Sequence, residues 1–498
     1  MFIGIDLGTT YSLGAYINEN GLPVIIPNAE GENKTPSVVF FESEDSVVVG
    51  KSAKMNSGMY PDDVVSAIKN YMGQPKKITS SHGKTYTPES ISSFILKKIV
   101  LDSATFLNLE EPIKDVVVTI PAYFTDAQRK ATEDAVNIAG LKLLGTINEP
   151  TAAALYYATE TKLNHSNVLI YDLGGGTFDV TIIRVDDDDV RVLSTGGLSN
   201  VGGRFFDQAI VDYVCEQFED KHEIDLEEDE YEYQELFVRA EDAKIQLSRQ
   251  MKTLIPIKVE RIRENIELTR EYFNEVIEKF YKRSEFVVKK AISEAGLEIK
   301  DIDKAILVGG SSRIPYIQER LSKILGDVIS REGNPDEVVA LGAALFGKQL
   351  TEKAETGKRI QDVCSHSIGI AVIDTNLNQR VNSILINRNS KLPASVTRSF
   401  RTAVECQTEV DLTITEGEFR ELTDVAILNS KMIKLPENLH KGTRVEIRLL
   451  LDESQLLHVY IAIPDAGYED EYRFERITNL SEQEVEMLTG LIADYDVR

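Results

Sequence analysis

The chain has 498 residues, 42% of them hydrophobic and 27% charged, which fits about three soluble globular units. With 81 acidic against 55 basic residues and a formal net charge of −26, it is a poor partner for nucleic acid, because neutralising phosphates takes Lys and Arg. No apolar run approaches the roughly 18 residues of a membrane span, and no basic stretch precedes the opening Met1–Ile5, so neither a span nor a signal peptide is expected.

Cys215, Cys364 and Cys406 are far apart and form no C-x-x-C pair, which reads as free, buried thiols in a reducing, cytoplasmic setting. The histidines show no ligand spacing.

Residues 1–350 alternate strand and helix patterns, as in an α/β fold. The first strand, Met1–Ile5, leads into Asp6-Leu7-Gly8-Thr9-Thr10. Gly83-Lys84-Thr85 is no P-loop, since Ile78 stands where the first glycine belongs. Asp115–Phe124 reads as a strand, and Thr125 with Gln128 as a capping box opening a helix that stops at Gly140. A second buried strand, Asn167–Tyr171, runs into Asp172-Leu173-Gly174-Gly175-Gly176-Thr177-Phe178-Asp179.

One such turn alone reads as a plain hairpin. Two related copies, each opening an α/β half, point to phosphate binding by glycine-rich backbone, with the aspartates beside the turns able to hold Mg²⁺ through its waters. Duplication places the nucleotide in a cleft between two lobes.

Phe206, Ile210, Tyr213, Val214 and Phe218 mark one helix face, Glu227–Tyr233 a solvated turn or helix start, and Asn274–Ala295 a long amphipathic helix. A third glycine turn, Leu307–Pro315, reads by itself as an ordinary βα loop. Leu350–Arg359 is polar and aperiodic, a linker candidate, so the domains are drawn as 1–350, a linker 351–361, 362–477 and 478–498. Residues 362–477 carry short alternating segments (Val410–Ile414, Val445–Leu451, Leu457–Ile463), which read as a β-sandwich. Ser481 and Glu484 form a capping box before an apolar stripe at Val485, Leu488 and Ile492; one helix at most fits there, weakened by Gly490.

The blocks Gly4–Thr10, Ile120–Phe124, Asn148–Ala154, Asp172–Asp179, Val308–Pro315 and Asn334–Glu337 resemble, in order and spacing, the signatures of the seventy-kilodalton heat-shock chaperones of DnaK type. Asp362–Gly369 and the short middle lobe look closest to the HscC-like bacterial branch, and most of the C-terminal lid is missing. The resemblance implies an actin-like, duplicated two-lobed ATPase domain, a β-sandwich that binds peptide, and a short C-terminal helix left from the lid.

It also implies roles by position. Gly8, Thr9, Thr10 and Tyr11 match the first phosphate turn, Gly174, Gly175 and Thr177 the second, and Gly202 and Gly203 the glycine pair of a further block in the nucleotide-cleft region. Asp6, Asp172, Asp179 and Glu149 match the carboxylates around hydrated Mg²⁺. Lys69, Glu149, Asp172 and Thr177 match the residues that position water and neutralise the γ-phosphate. Glu241, Lys244 and Ser248, which share a helix face, match the adenosine clamp, completed by Gly309, Gly310, Ser311, Arg313 and Asp336. Ile245 replaces an Arg seen in some members, so adenine stacking there is expected to be apolar. Pro121 and Arg129 match the route from nucleotide to linker, although their plain readings are a strand-end proline and a helix-surface arginine. Ile368, Ile370, Ile373, Phe400, Ala403, Val410 and Leu412 match the peptide pocket, with sandwich core as the plain reading.

The implied activity is ATP hydrolysis driving a chaperone cycle, with ATP or ADP and Mg²⁺ as cofactors. Unfolded or extended polypeptides and a J-domain co-chaperone are the implied partners, and nucleic acid and membrane are not. Which exchange factor serves it is open, because the Arg261–Asn265 turn is short. The linker departs from the family in offering Ile360 as its one aliphatic residue, so weak interdomain coupling is expected, and Gly202–Asp207 lacks two acids of the family block. Other readings left open are a sugar kinase or a filament former of the same superfamily, both of which leave residues 362–477 unexplained, and a nucleotide-gated interaction module.

Overall fold

The computed structural model describes all residues except 161–162, 188, 260, 331–332, 353–358, 375–378, 454 and 474–479. Two central sheets repeat one arrangement. In lobe I the strand Phe2–Asp6 lies between the parallel Asp115–Ile120 and the antiparallel Tyr11–Ile17, with Lys142–Asn148 and Pro23–Ile26 outside them. In lobe II Ser166–Leu173 lies between the parallel Lys304–Val308 and the antiparallel Phe178–Val185, which pairs on with Asp189–Leu198. In both lobes the first hairpin carries the Asp-Leu-Gly turn, so the duplicated sequence pattern is also a duplicated topology.

The helices Glu149–Glu160 and Val338–Glu352 cross between the sheets. They can do so because Gly342 lies against the backbone of Ala152: a Cβ there would fall 1.9 Å from the Ala152 carbonyl oxygen. A small sheet of Val38–Phe41, Ser46–Val49 and Val64–Ser66 extends lobe I. The helix Glu230–Leu247 and the hairpin Lys252–Val259/Ile262–Thr269 extend lobe II.

The expected helices occur as Asp126–Ile138, Gly203–His222 and Arg270–Glu294. The first has the Thr125/Gln128 capping box, with Gln128 N donating to Thr125 Oγ1 and Thr125 N to Gln128 Oε1.

Several expectations need correction. Glu227–Tyr233 is not simply solvated: Glu232 is buried, accepting from Arg239 at 2.5 Å and from the Lys258 amide at 2.8 Å. Ile262–Asn265 belong to a strand rather than a turn. Of the cysteines, all are free but only Cys364 is buried; Cys406 is exposed and Cys215 half-buried.

The segment drawn as linker is mostly not a separate element among the described residues. Residues 351–352 end the helix Val338–Glu352, 353–358 lie outside the described residues, and Arg359–Gln361 is a sixth strand on lobe II, paired parallel with Asp189–Arg191.

The β-domain is a sandwich of two four-stranded sheets. One is Gln379–Ile386, Ile368–Asp374, Glu409–Glu416 and Ala426–Lys434; the other is Ala394–Arg401, Arg444–Leu451, Leu457–Ile463 and Tyr468–Arg473. Alternating residues such as Val445, Ile447, Leu449 and Leu451 fill the space between them. Ile368–Asp374 and Glu409–Glu416 pair only over Ile368–Ile370 with Ile414–Glu416. The helix Glu482–Ala493 forms with its Ser481/Glu484 box, but it packs on lobe I rather than over the sandwich, and a further strand, Asp496–Val497, follows it. No helix among the described residues is long and apolar enough to cross a membrane.

Candidate functional site

The cleft between the lobes, about 440 Å³, has the size of a small-molecule site. Asp6, Gly8–Tyr11, Lys69, Glu149, Asp172, Gly174, Gly175, Thr177, Gly203, Glu241, Lys244, Ser248, Gly309–Ser311, Arg313 and Asp336 all line it. The two hairpin turns meet there. A Cβ on Gly175 would lie 2.0 Å from Thr10 Oγ1, so the glycine lets the two turns approach with the Thr10 hydroxyl in place.

Gly202 does not line the cleft but braces the second turn from behind. Its own Cβ would strike the Gly175 backbone at 2.7 Å, and the Gly203 amide donates to Gly174 O at 2.9 Å. The third glycine turn joins the same structure, with Ser311 Oγ donating to Gly174 O at 2.9 Å.

Lys69 sits on a short 3-10 turn, Ile68–Tyr71, entered through Ala67 at φ 50°, a left-handed conformation that is costly for a residue with a Cβ. Its Nζ lies 2.5 Å from Glu149 Oε1, both side chains buried. Glu149 opens its helix directly after Lys142–Asn148. Asp6 accepts from Thr119 Oγ1 at 3.0 Å, and Asp179, behind the cleft, accepts from the Tyr123 amide at 3.2 Å.

Burial, with the Glu149 charge next, pushes the Asp6 and Asp179 carboxyls each up to about 7 and raises Asp172 well above the carboxylate range. Four acids thus face one lysine. That surplus of buried negative charge fits a divalent cation with Asp6, Asp172, Asp179 and Glu149 around it. Among the described residues no three His, Cys, Asp or Glu side chains group as a direct metal-ligand set.

Farther out, Glu241 pairs with Lys54 from lobe I and accepts from Tyr11 Oη at 3.4 Å. Burial opposes its charge, yet Lys54 and Lys244 hold its carboxyl below the usual range. Lys244 Nζ lies 2.7 Å from Asp207, whose carboxyl burial pushes up to about 6. Asp207 is therefore the acid of the Gly202–Asp207 block that still serves the cleft. Arg313 pairs with Asp336 at 3.0 Å, and Ile245, half-exposed, lines the cleft beside Ser248.

Sequence reasoning missed Ser12, Ser37, Thr119, Lys54 and Asp207. Ser12 and Ser37 are buried under the first turn, their hydroxyls 2.9 Å apart; Gly8 N donates to Ser12 Oγ, and Ser37 Oγ donates to Gly8 O at 2.8 Å. Position next to Gly8–Tyr11 was the available signal for Ser12; the others come from distant segments.

Arg129 is not on the helix surface. It is buried, donating to Asn148 Oδ1 (3.1 Å), Ala122 O (3.2 Å) and Ser365 Oγ (3.3 Å), and so joins lobe I to the β-domain. In the β-domain, Ile368, Ile370 and Leu412 are sandwich core, Phe400 and Val410 are half-buried against it, Ile373 is exposed beyond the point where Ile368–Asp374 and Glu409–Glu416 separate, and Ala403 is exposed in the bend after Ala394–Arg401.

A duplicated two-lobe cleft with paired glycine turns, buried carboxylates and one buried lysine, followed by a β-sandwich, is the arrangement that the signature blocks imply. The family model described as Hsp70 protein matches residues 2–495, and the chain belongs to the Hsp70 family.

Proposed function

We propose that the chain binds ATP with Mg²⁺ in the interlobe cleft, hydrolyses it, and uses the cycle to bind and release extended apolar segments of unfolded polypeptides on the β-domain. Membership of the Hsp70 family makes it an ATPase and an ATP-dependent chaperone in general. The observation that carries the site-level reading is the buried Lys69–Glu149 pair set among Asp6, Asp172 and Asp179 between two glycine turns.

Bound Mg²⁺ would supply charge neutralisation at the phosphates. Lys69 holds positive charge where the γ-phosphoryl group transfers, and the Thr177 hydroxyl and the Glu149 and Asp172 carboxylates orient water. The backbone of Gly8–Tyr11 and Gly174–Thr177 holds phosphate oxygens, and Glu241, Lys244, Ser248, Arg313 and Asp336 hold the nucleoside. On the β-domain, where the strands Ile368–Asp374 and Glu409–Glu416 splay apart beyond Ile370 and Ile414, an extended peptide pairs along Ala371–Ile373 and Val410–Thr413, with Ile373, Phe400, Ala403 and Val410 around it. A J-domain partner and a cytoplasmic setting belong to the same reading.

A second reading, a nucleotide-gated interaction module with weak coupling, is favoured by the single aliphatic residue Ile360 in the linker. Single-turnover ATP hydrolysis tests the site. Lys69→Ala and Asp172→Asn are each expected to slow it by about 10²–10³-fold, and Thr177→Ala to slow it with nucleotide affinity kept within a few-fold. Unchanged rates in all three would refute the assignment.

A further inference from the structure

Residues 480–498 lie against lobe I, away from the sandwich that they follow. The helix Glu482–Ala493 lies on Asp126–Ile138, and Asp496–Val497 adds a parallel strand to what would otherwise be the free edge of Ser46–Val49. The pairing is complete on the backbone: Asp496 N donates to Asp45 O at 3.0 Å, Arg498 N to Val47 O at 2.9 Å, and Val49 N to Arg498 O at 2.7 Å. Leu480, Leu488, Ile492, Tyr495 and Val497 are all buried, and they belong to the same apolar cluster as Ile3, Ile5 and Val47 at the centre of lobe I.

Two polar contacts fix the register. The Tyr495 and Tyr86 hydroxyls meet at 2.7 Å in a buried site. Lys97 Nζ donates to the carbonyls of Ile492 (2.9 Å), Ala493 (3.3 Å) and Tyr495 (3.2 Å), satisfying the open end of the helix.

A lid resting on a surface would leave the surface beneath it intact. Taking this segment away would open the lobe I core and bare an apolar strand edge, Ser46-Val47-Val48-Val49, of the kind that folded proteins keep covered. We propose that residues 480–498 are a constituent of lobe I. The Ser46–Val49 edge and the groove at Tyr86 and Lys97 form an interaction surface whose partner is this segment of the same chain, so the β-domain is a module fastened at both ends. Its entry strand, Arg359–Gln361, completes the lobe II sheet, and its exit segment completes the lobe I sheet. The segment thus serves as a clasp on lobe I rather than as a cover for bound peptide.

The test needs neither nucleotide nor peptide. A site-specific protease sequence is placed within 474–479 of the full chain, the folded protein is cut, and the products are followed by gel filtration and thermal unfolding. The expected result is that the 480–498 fragment co-elutes with the large fragment. Where it is stripped off at high dilution, the main transition falls by at least 5 °C. In the uncut chain Leu488→Asp lowers the same transition, whereas Met487→Asp, on the exposed face of the helix, leaves it unchanged. A fragment that separates with no change in the unfolding temperature would overturn the proposal.

Discussion

Asn148 Nδ2 donates to Asp362 Oδ2 at 2.7 Å, which ties the residue before Glu149 to the first residue after the strand Arg359–Gln361. Asp362 also accepts from the Val363 amide at 2.8 Å, and burial raises its carboxyl above the usual range. Arg129 bonds the same Asn148 from the other side and reaches on to Ser365. The end of the strand Lys142–Asn148 and the entrance to the β-domain therefore share one buried polar network. Asp362→Ala removes the acceptor and leaves the Asn148 amide unsatisfied, a loss of about 1–3 kcal/mol. The expected outcome is a several-fold smaller effect of nucleotide on peptide release, read by fluorescence anisotropy, with ATP turnover in the absence of peptide within about twofold of the parent.

Ser37 is expected to act as a positioning residue for the first phosphate turn. Ser37→Ala strands Gly8 O and one side of Ser12, again about 1–3 kcal/mol. Calorimetric titration should show ATP affinity weakened by about 5–100-fold, while the far-ultraviolet spectrum stays that of a folded chain. Unchanged affinity would leave the serine pair a purely internal contact.

His366 gives the domain interface a pH dependence. Its Nε2–H donates to Tyr123 O at 3.1 Å, and burial, with Arg129 and Arg388 nearby, lowers its pKa to about 4 against the Tyr123 carbonyl and Glu418, which favour the charged form. An undocked, solvated histidine titrates near 6.5, so the docked state binds fewer protons between pH 4 and 6.5. Docking is thus fully stabilised above about pH 6.5 and weakens as pH falls, by about 2 kcal/mol at pH 5. Small-angle scattering should show the chain expanding on acidification from pH 7 to 5, and the shift should shrink in His366→Gln.

Val410→Phe adds volume where Val410 packs half-buried against the sandwich core, at a strain of about 1–3 kcal/mol. Affinity for a Leu-rich extended peptide should fall, with ATP turnover in the absence of peptide unchanged. If affinity holds, the peptide lies elsewhere than along the splayed strands.

Much of the cleft was legible because its chemistry sits in contiguous turns. Asp6–Tyr11 and Asp172–Thr177 each carry strand, carboxylate, glycine and hydroxyl within a few residues, and periodicity placed the helices that support them. Lys69 and Glu149 showed no local signal and were placed by resemblance; the fold brings them together from 80 positions apart. For Arg129 the capping box and helix pattern suggest a surface helix, the plain alternative to a place on the route from nucleotide to linker; its bonds to Ala122, Asn148 and Ser365 come from other segments, which no local pattern reports. The strand Asp496–Val497 was illegible because two residues carry no periodicity; its pairing partner, Ser46–Val49, lies at the other end of the chain. The linker docks by a means that its side chains do not report. Apolar content alone predicts weak docking, but Arg359–Gln361 docks by backbone pairing, and Arg388 and Asn389 add contacts to Thr195 and Glu294 on lobe II.

Those docked contacts bear most directly on whether nucleotide controls peptide. Stopped-flow release of a fluorescent Leu-rich peptide from the full chain, with ATP and with ADP, measures it. The expected result is release at least about tenfold faster in ATP, equivalent to about 1.4 kcal/mol of differential affinity between the two states. Equal rates in the two nucleotides, in a chain that still hydrolyses ATP, would contradict ATP-driven release and leave the weakly coupled interaction module as the reading that stands.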